Sequence, residues 1–241
     1  AAPSQFMSRD VIAPELIRQP HIAERVVFVD GIPACGKTMM APIVTALDRV
    51  EMLQYSYPVE YQCILRYLGK IDEATASTML RMLTDLHLYN IVQSRETNFR
   101  YHALSGIWSA PQPLRYFKRL FQEGDQAALE RIRREHPILH LVTHFVLTVG
   151  TPLFQALGDR LRIVEVVRHP LYMLKQQFMY MPRFGTDVRD FTLWFDYEGL
   201  TVPWFSLGWE RKFANACPMD KAIYMIEETG RLVAEVRESL T

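Results

Sequence analysis

The octapeptide Gly31-Ile-Pro-Ala-Cys-Gly36-Lys37-Thr38 constrains this chain more than any other feature. It satisfies the spacing G-x-x-x-x-G-K-[ST] and joins "RVVFVD" (25–30), a β-branched apolar run, to "KTMMAPIVTALDRV", whose apolar residues recur at helical spacing. A buried strand that passes through a glycine turn into a helix opens a βαβ unit, so the segment predicts a parallel sheet with helices packed on it. Glycines let the backbone curl until successive N–H groups converge on one anion, and the start of the following helix adds its dipole. Lys37 is then placed to neutralise phosphate charge, and Thr38 to ligate magnesium or donate to an oxygen.

The rest of the chain repeats the alternation. "VEMLQY" (50–55), "PILHLVTHF" (137–145) and "LRIVEVVRHP" (161–170) are three further predicted strands. The span from Glu60 to Leu88 is predicted helical with Asp72 as a cap, and "SAPQPLRYF" a loop before the charged helix "QAALERIRREH", whose basic residues read as a solvated face. "YMLKQQFMYMP" predicts a helix packed in the core and "VPWFSLGWERKF" a surface loop. "MDKAIYMIEETGRLVAEVRESL" predicts a closing helix broken at Gly230. The expected class is α/β: a P-loop NTPase-like three-layer sandwich with a mainly parallel sheet flanked by helices. The whole chain, 1–241, reads as one domain, with 1–24 an N-terminal extension and 191–241 a stretch of loop and helices. Met7 is a candidate native start, with "AAPSQF" before it derived from a tag; a targeting segment removed ahead of it would leave no trace.

Charge and cysteine content narrow the function. Lys+Arg and Asp+Glu both number 27, so no global field draws the chain to nucleic acid, and any anion must be met by a local cluster. Cys35, Cys63 and Cys217 form no CxxC pair, which argues against a disulfide framework or a zinc site and points to a reducing, cytoplasmic setting. No apolar run approaches the ~18 residues that span a bilayer, and no signal peptide is visible.

In an open parallel sheet, ligands sit beyond the C-terminal ends of the strands. Two strand ends besides the loop carry polar residues there: Thr143 and His144 in "LHLVTHF", and Arg168 and His169 in "IVEVVRHP". An imidazole at His144 can take a proton from an acceptor hydroxyl, and the planar fork of Arg168 can clamp a second anion. With these residues in place, the span from about 25 to 180 resembles the sulfotransferase family, whose loop reads P-K-S-G-T-T and whose later strands end in K-T-H and R-x-P. That resemblance implies 3′-phosphoadenosine 5′-phosphosulfate as donor, with Pro33, Cys35, Gly36 and Thr38 around its 5′-phosphosulfate; the loop motif itself adds Gly31, Ala34 and Lys37 to the expected phosphate site. The resemblance implies Arg168 at the 3′-phosphate and His144 as general base. Lys37 is expected to join His144 in catalysis by meeting the charge on the leaving phosphate, so that no metal is required, and the Gln176 amide can donate to the 3′-phosphate. The family's loop lysine falls here at Ala34, and its serine after the arginine at Gln176, beside Lys175.

An unbroken G-K-T is also what ATP-dependent small-molecule kinases carry, with magnesium and a carboxylate such as Asp30 or Glu165. A nucleotide-binding module without transfer chemistry is a third reading. The acceptor is expected to be a small molecule or a carbohydrate. The stretch from Tyr89 to Tyr116 and the aromatic segment carrying Trp194, Trp204 and Trp209 are the two candidate pockets for it.

Overall fold

The computed structural model describes residues 15–239. Its centre is a four-stranded, all-parallel sheet in the order β2-β3-β1-β4, formed by β1 (Val26–Asp30), β2 (Gln54–Tyr55), β3 (Leu139–Val142) and β4 (Leu161–Glu165). Val26 lies opposite Leu139 on one side and Leu161 on the other, and Asp30 opposite Glu165, so the C-terminal ends of β1, β3 and β4 share one edge. The alternation of β1 divides the core. Val26 and Phe28 enter a large cluster with α2 (Tyr57–Tyr67), α3 (Glu73–Val92), α7 (Thr151–Leu157) and α10 (Pro218–Ser239). Val27 and Val29 enter a small one with α1 (Ala41–Thr45). Central parallel strands are buried on both faces, which is why they read as continuous apolar runs rather than alternating ones.

Local chemistry sets several boundaries. Asp72 accepts the N–H of Thr75 at 2.8 Å and caps α3, as its sequence predicts, while Gly69, at φ 65°, ends the preceding helical stretch and separates α3 from α2. A left-handed residue is needed at such a stop, and glycine takes it without a Cβ penalty. Around α4 (Pro113–Arg119) and α5 (Asp125–Glu135), buried arginines tie the layers together. Arg119 grips the buried Glu51 with both terminal nitrogens at 2.8 Å, and Arg131 donates to the carbonyl of Val92 at the end of α3. The basic face of α5 is therefore partly structural, not wholly solvated.

Five other expectations are corrected. The helix after the loop is a 3₁₀ turn, Lys37–Met40, followed by only the five residues of α1. Within "SAPQPLRYF", Pro113 begins α4, since proline fits the first helical position. The Met-rich α8 (Pro170–Tyr180) buries only Met173 and Gln177 and leaves Leu171, Tyr172 and Met179 exposed. "VPWFSLGWERKF" is not a surface loop. It begins in the second strand of a hairpin of β5 (Trp194–Tyr197) and β6 (Leu200–Pro203), and Trp204 and Phe205 are each 1 % exposed. Phe145, just past the end of β3, packs edge-on against Trp204 and flat against Phe205, a tertiary contact between segments distant in the chain. Finally, α10 runs unbroken through Gly230, which lies against Ile32 of the loop. The tag-derived reading of 1–6 and the start at Met7 fall outside the described residues. Among the described residues no helix is long and apolar enough to cross a membrane.

Candidate functional site

Beyond the C-terminal edge of the sheet lies a cleft of about 770 Å³. It brings together Pro33, Ala34, Gly36, Lys37 and Thr38 from the loop with His144, Arg168 and Gln176, which are 106 or more residues away in sequence from the last of them, Thr38, and were each expected at the site. Gly31 and Cys35 are buried beneath the loop. A Cβ on Gly31 would stand 2.3 Å from the carbonyl oxygen of Val166, so only glycine lets the loop approach the end of β4 this closely. Ala34 at φ 73° and Gly36 at φ 98° both hold left-handed backbone, giving the loop its tight curl. Its internal bond runs from the Cys35 N–H to the Ile32 carbonyl at 3.0 Å. Burial pushes the Cys35 thiol up, so it sits under the loop as a small apolar filler.

Lys37 lines the cleft, yet its ammonium is turned back on the protein. Nζ donates to Asp30 Oδ1 at 2.9 Å, to the Gly31 carbonyl at 2.7 Å and to the His144 carbonyl at 2.7 Å. An ammonium has three donors, and each has an acceptor. Asp30 is fully buried and its second oxygen accepts the Leu147 N–H at 2.7 Å. Burial raises the Asp30 carboxyl above the ordinary carboxylate range, and the adjacent Lys37 pulls it back down. The pair thus laces the loop 31–38 to the end of β3 and to α6 (Val146–Val149).

His144 is held at both peptide groups. Its carbonyl accepts from Lys37, and its N–H donates to Glu60 Oε2 at 2.7 Å. The imidazole Nδ1 lies 3.5 Å from the same carboxylate oxygen, and the side chain keeps 37 % of its surface open to the cleft. The ring of Tyr57 stacks on it at 5.2 Å and that of Tyr55 at 6.2 Å. Burial, with Glu60 beside it, pushes the Tyr57 phenol up to about 12, so it is a neutral donor at physiological pH. Tyr55 shares a 2.6 Å hydrogen bond with the Thr38 hydroxyl.

Arg168 is exposed and donates to the Ala34 carbonyl at 3.2 Å, leaving most of its fork for an anion beside the loop. Gln177, next to the expected Gln176, is the buried one and donates to the Pro33 carbonyl at 2.6 Å, fixing α8 to the loop. The far wall comes from 181–192, where Tyr61 donates to the Phe191 carbonyl at 2.7 Å and Arg189 pairs with Asp187.

Sequence reasoning missed Tyr55, Tyr57, Glu60 and this wall. A signal existed for the first three. "VEMLQY" reads as a strand, and the strand-end rule applied to "YSYPVEY" points to the tyrosines and the carboxylate of the first turn of α2. Neither expected acceptor pocket lies here. Tyr116 is buried with its hydroxyl accepting the Met52 N–H, and Trp204 is core. Trp209 packs on Phe205 and Phe213, and Trp194 lies under Gly185.

A second polar relay stands behind α2. Ser56 Oγ lies 2.7 Å from His87 Nε2, and His87 Nδ1 lies 2.7 Å from Glu96 Oε2. The order is that of a hydrolase triad, but Ser56 is buried and its oxygen already accepts the Val59 N–H as the cap of α2. It braces the helix that carries Tyr57 and Glu60. No protein-family model, curated protein or solved structure matches this chain.

Proposed function

We propose that this chain is a sulfotransferase that moves a sulfuryl group from 3′-phosphoadenosine 5′-phosphosulfate to an acceptor hydroxyl, on a P-loop NTPase-like scaffold. One observation carries the reading: an accessible imidazole, His144, and a cation free for an anion, Arg168, open into the same cleft as the curled loop 33–38. When bound, the donor supplies an activated sulfuryl group. The loop and Thr38 would hold its 5′ end, and Arg168 with Gln176 its 3′-phosphate. His144 accepts the acceptor's proton. Lys37 keeps the loop and the His144 peptide in register from behind.

The donor set favours this over a magnesium-dependent kinase. Both oxygens of Asp30 are engaged by Lys37 and Leu147, and Glu165 is held by Arg237 at 2.6 and 2.8 Å. The acceptor lies against the Tyr57 and Phe191 wall, whose rings are 5.4 Å apart, and a small molecule or sugar presenting a flat face to them is the class that fits.

The test is calorimetric binding of 3′-phosphoadenosine 5′-phosphate, ADP and ATP, each with and without magnesium. The 3′-phosphorylated nucleotide is expected to bind best, indifferent to magnesium, and Arg168→Ala to weaken it roughly 10-fold or more while leaving ADP nearly unchanged. Tightest binding of ATP with magnesium, with no gain from the 3′-phosphate, would replace this reading with the kinase.

A further inference from the structure

We propose that Glu60 is the positioning residue of the site: its carboxylate holds the His144 imidazole with the proton on Nδ1 and so presents the Nε2 lone pair to the acceptor. The inference rests on the sulfotransferase reading only in naming the proton that Nε2 takes.

The carboxylate of Glu60 is 5 % exposed, and His144 is the only group among the described residues that can pair with it as a cation within 4.0 Å. A buried carboxylate that lacks a lysine or arginine partner needs donors. Glu60 has the His144 N–H at 2.7 Å and the imidazole Nδ1 at 3.5 Å. An ionised carboxylate only accepts, so the ring nitrogen that faces it must carry the hydrogen, and the other nitrogen is left unprotonated in the neutral ring. At 3.5 Å the contact is an ion-pair distance, longer than the roughly 2.7–3.2 Å of an N–H···O hydrogen bond, and in the proposed mechanism it closes when the reacting complex forms, as catalytic contacts that are long in ligand-free sites often do. Because the same oxygen binds the peptide N–H, and Lys37 binds the peptide carbonyl, the imidazole hangs from a backbone fixed on both sides. The stacked ring of Tyr57 further limits its rotation.

In the transfer, the acceptor oxygen forms its bond to sulfur as the bond from sulfur to the donor's phosphate oxygen breaks. The hydroxyl proton goes to Nε2, and Glu60 remains a carboxylate that stabilises the imidazolium until water removes the proton. Atoms and charge balance without a further reactant.

The test reads the tautomer directly. Protein labelled with ¹⁵N at histidine is examined without nucleotide, and the His144 signal among the seven histidines is identified by its loss in His144→Gln. Wild type is expected to show Nδ1–H. Glu60→Gln keeps the shape and an acceptor for the peptide N–H but can also donate to Nδ1, so it is expected to populate Nε2–H. Turnover should fall about 10²- to 10⁴-fold with donor affinity unchanged, the contribution typical of general-base catalysis. Glu60→Asp is expected to recover part of both. An unchanged tautomer in Glu60→Gln overturns the proposal, whatever happens to activity. A shifted tautomer in a protein that transfers no sulfuryl group upholds the Glu60–His144 unit and refutes the sulfotransferase reading instead.

Discussion

Replacing Lys37 by methionine separates two jobs a loop lysine can have. Methionine keeps the apolar stem and removes the ammonium, leaving the fully buried Asp30 with the Leu147 N–H but without its cation. Breaking a buried ion pair from one side costs about 3–5 kcal/mol, because the orphaned charge stays desolvated. In a domain of this size 1 kcal/mol corresponds to roughly 2–4 °C in Tm, so Lys37→Met is expected to melt about 6–20 °C below wild type. The loss should shrink as pH falls toward the carboxylate range. Burial already raises Asp30, and without Lys37 it rises further, so the cost is incurred as pH climbs from the unfolded to the folded pKa and vanishes once Asp30 takes up a proton. Asp30→Asn in the same chain removes the orphaned charge, keeps an acceptor for Leu147, and should restore most of the stability. Urea melts of the two single variants and the double one close the cycle. A Lys37→Met protein that melts like wild type but has lost its nucleotide would refute the reasoning and make Lys37 a ligand-facing cation.

Two further predictions concern the framework. Burial drives His140 on β3 down to about 4, against a smaller raising effect from the Glu51 backbone, with Nδ1 3.2 Å from the Thr45 hydroxyl. A histidine depressed in the folded state contributes stability that is complete above about pH 6.5 and is lost as pH falls toward 4, here about 3 kcal/mol. Stability measured from pH 4 to 7 should show that slope in wild type and not in His140→Met. Gly31→Ala is expected to cost about 2 kcal/mol or more and to lower nucleotide affinity, because the new Cβ meets the Val166 carbonyl; Gly36→Ala meets open space and carries only the left-handed penalty of about 1–2 kcal/mol. Melting temperatures in the reverse order would show that the loop does not rest on the end of β4.

Much of this protein is determined by its sequence alone. The β-branched run into Gly31, the capping Asp72 and the apolar strands each act over a few residues, so the parallel sheet, the curled loop and the placing of His144 and Arg168 at strand ends were legible. The direction of the Lys37 ammonium was not. A motif fixes where the stem leaves the backbone, while the choice between a phosphate and an internal carboxylate depends on Leu147 and His144, 107 or more residues away. Trp204 and Phe205 read as surface because proline and glycine flank them at 203 and 208, and it is Tyr67, Phe145, Phe184 and Phe213, brought together in space, that make them core. Glu60 looked like an ordinary acidic residue in a helix's first turn. What gives it a role is a histidine 84 residues later, and desolvation, which decides what a charged group must bind, is a property of the assembled fold.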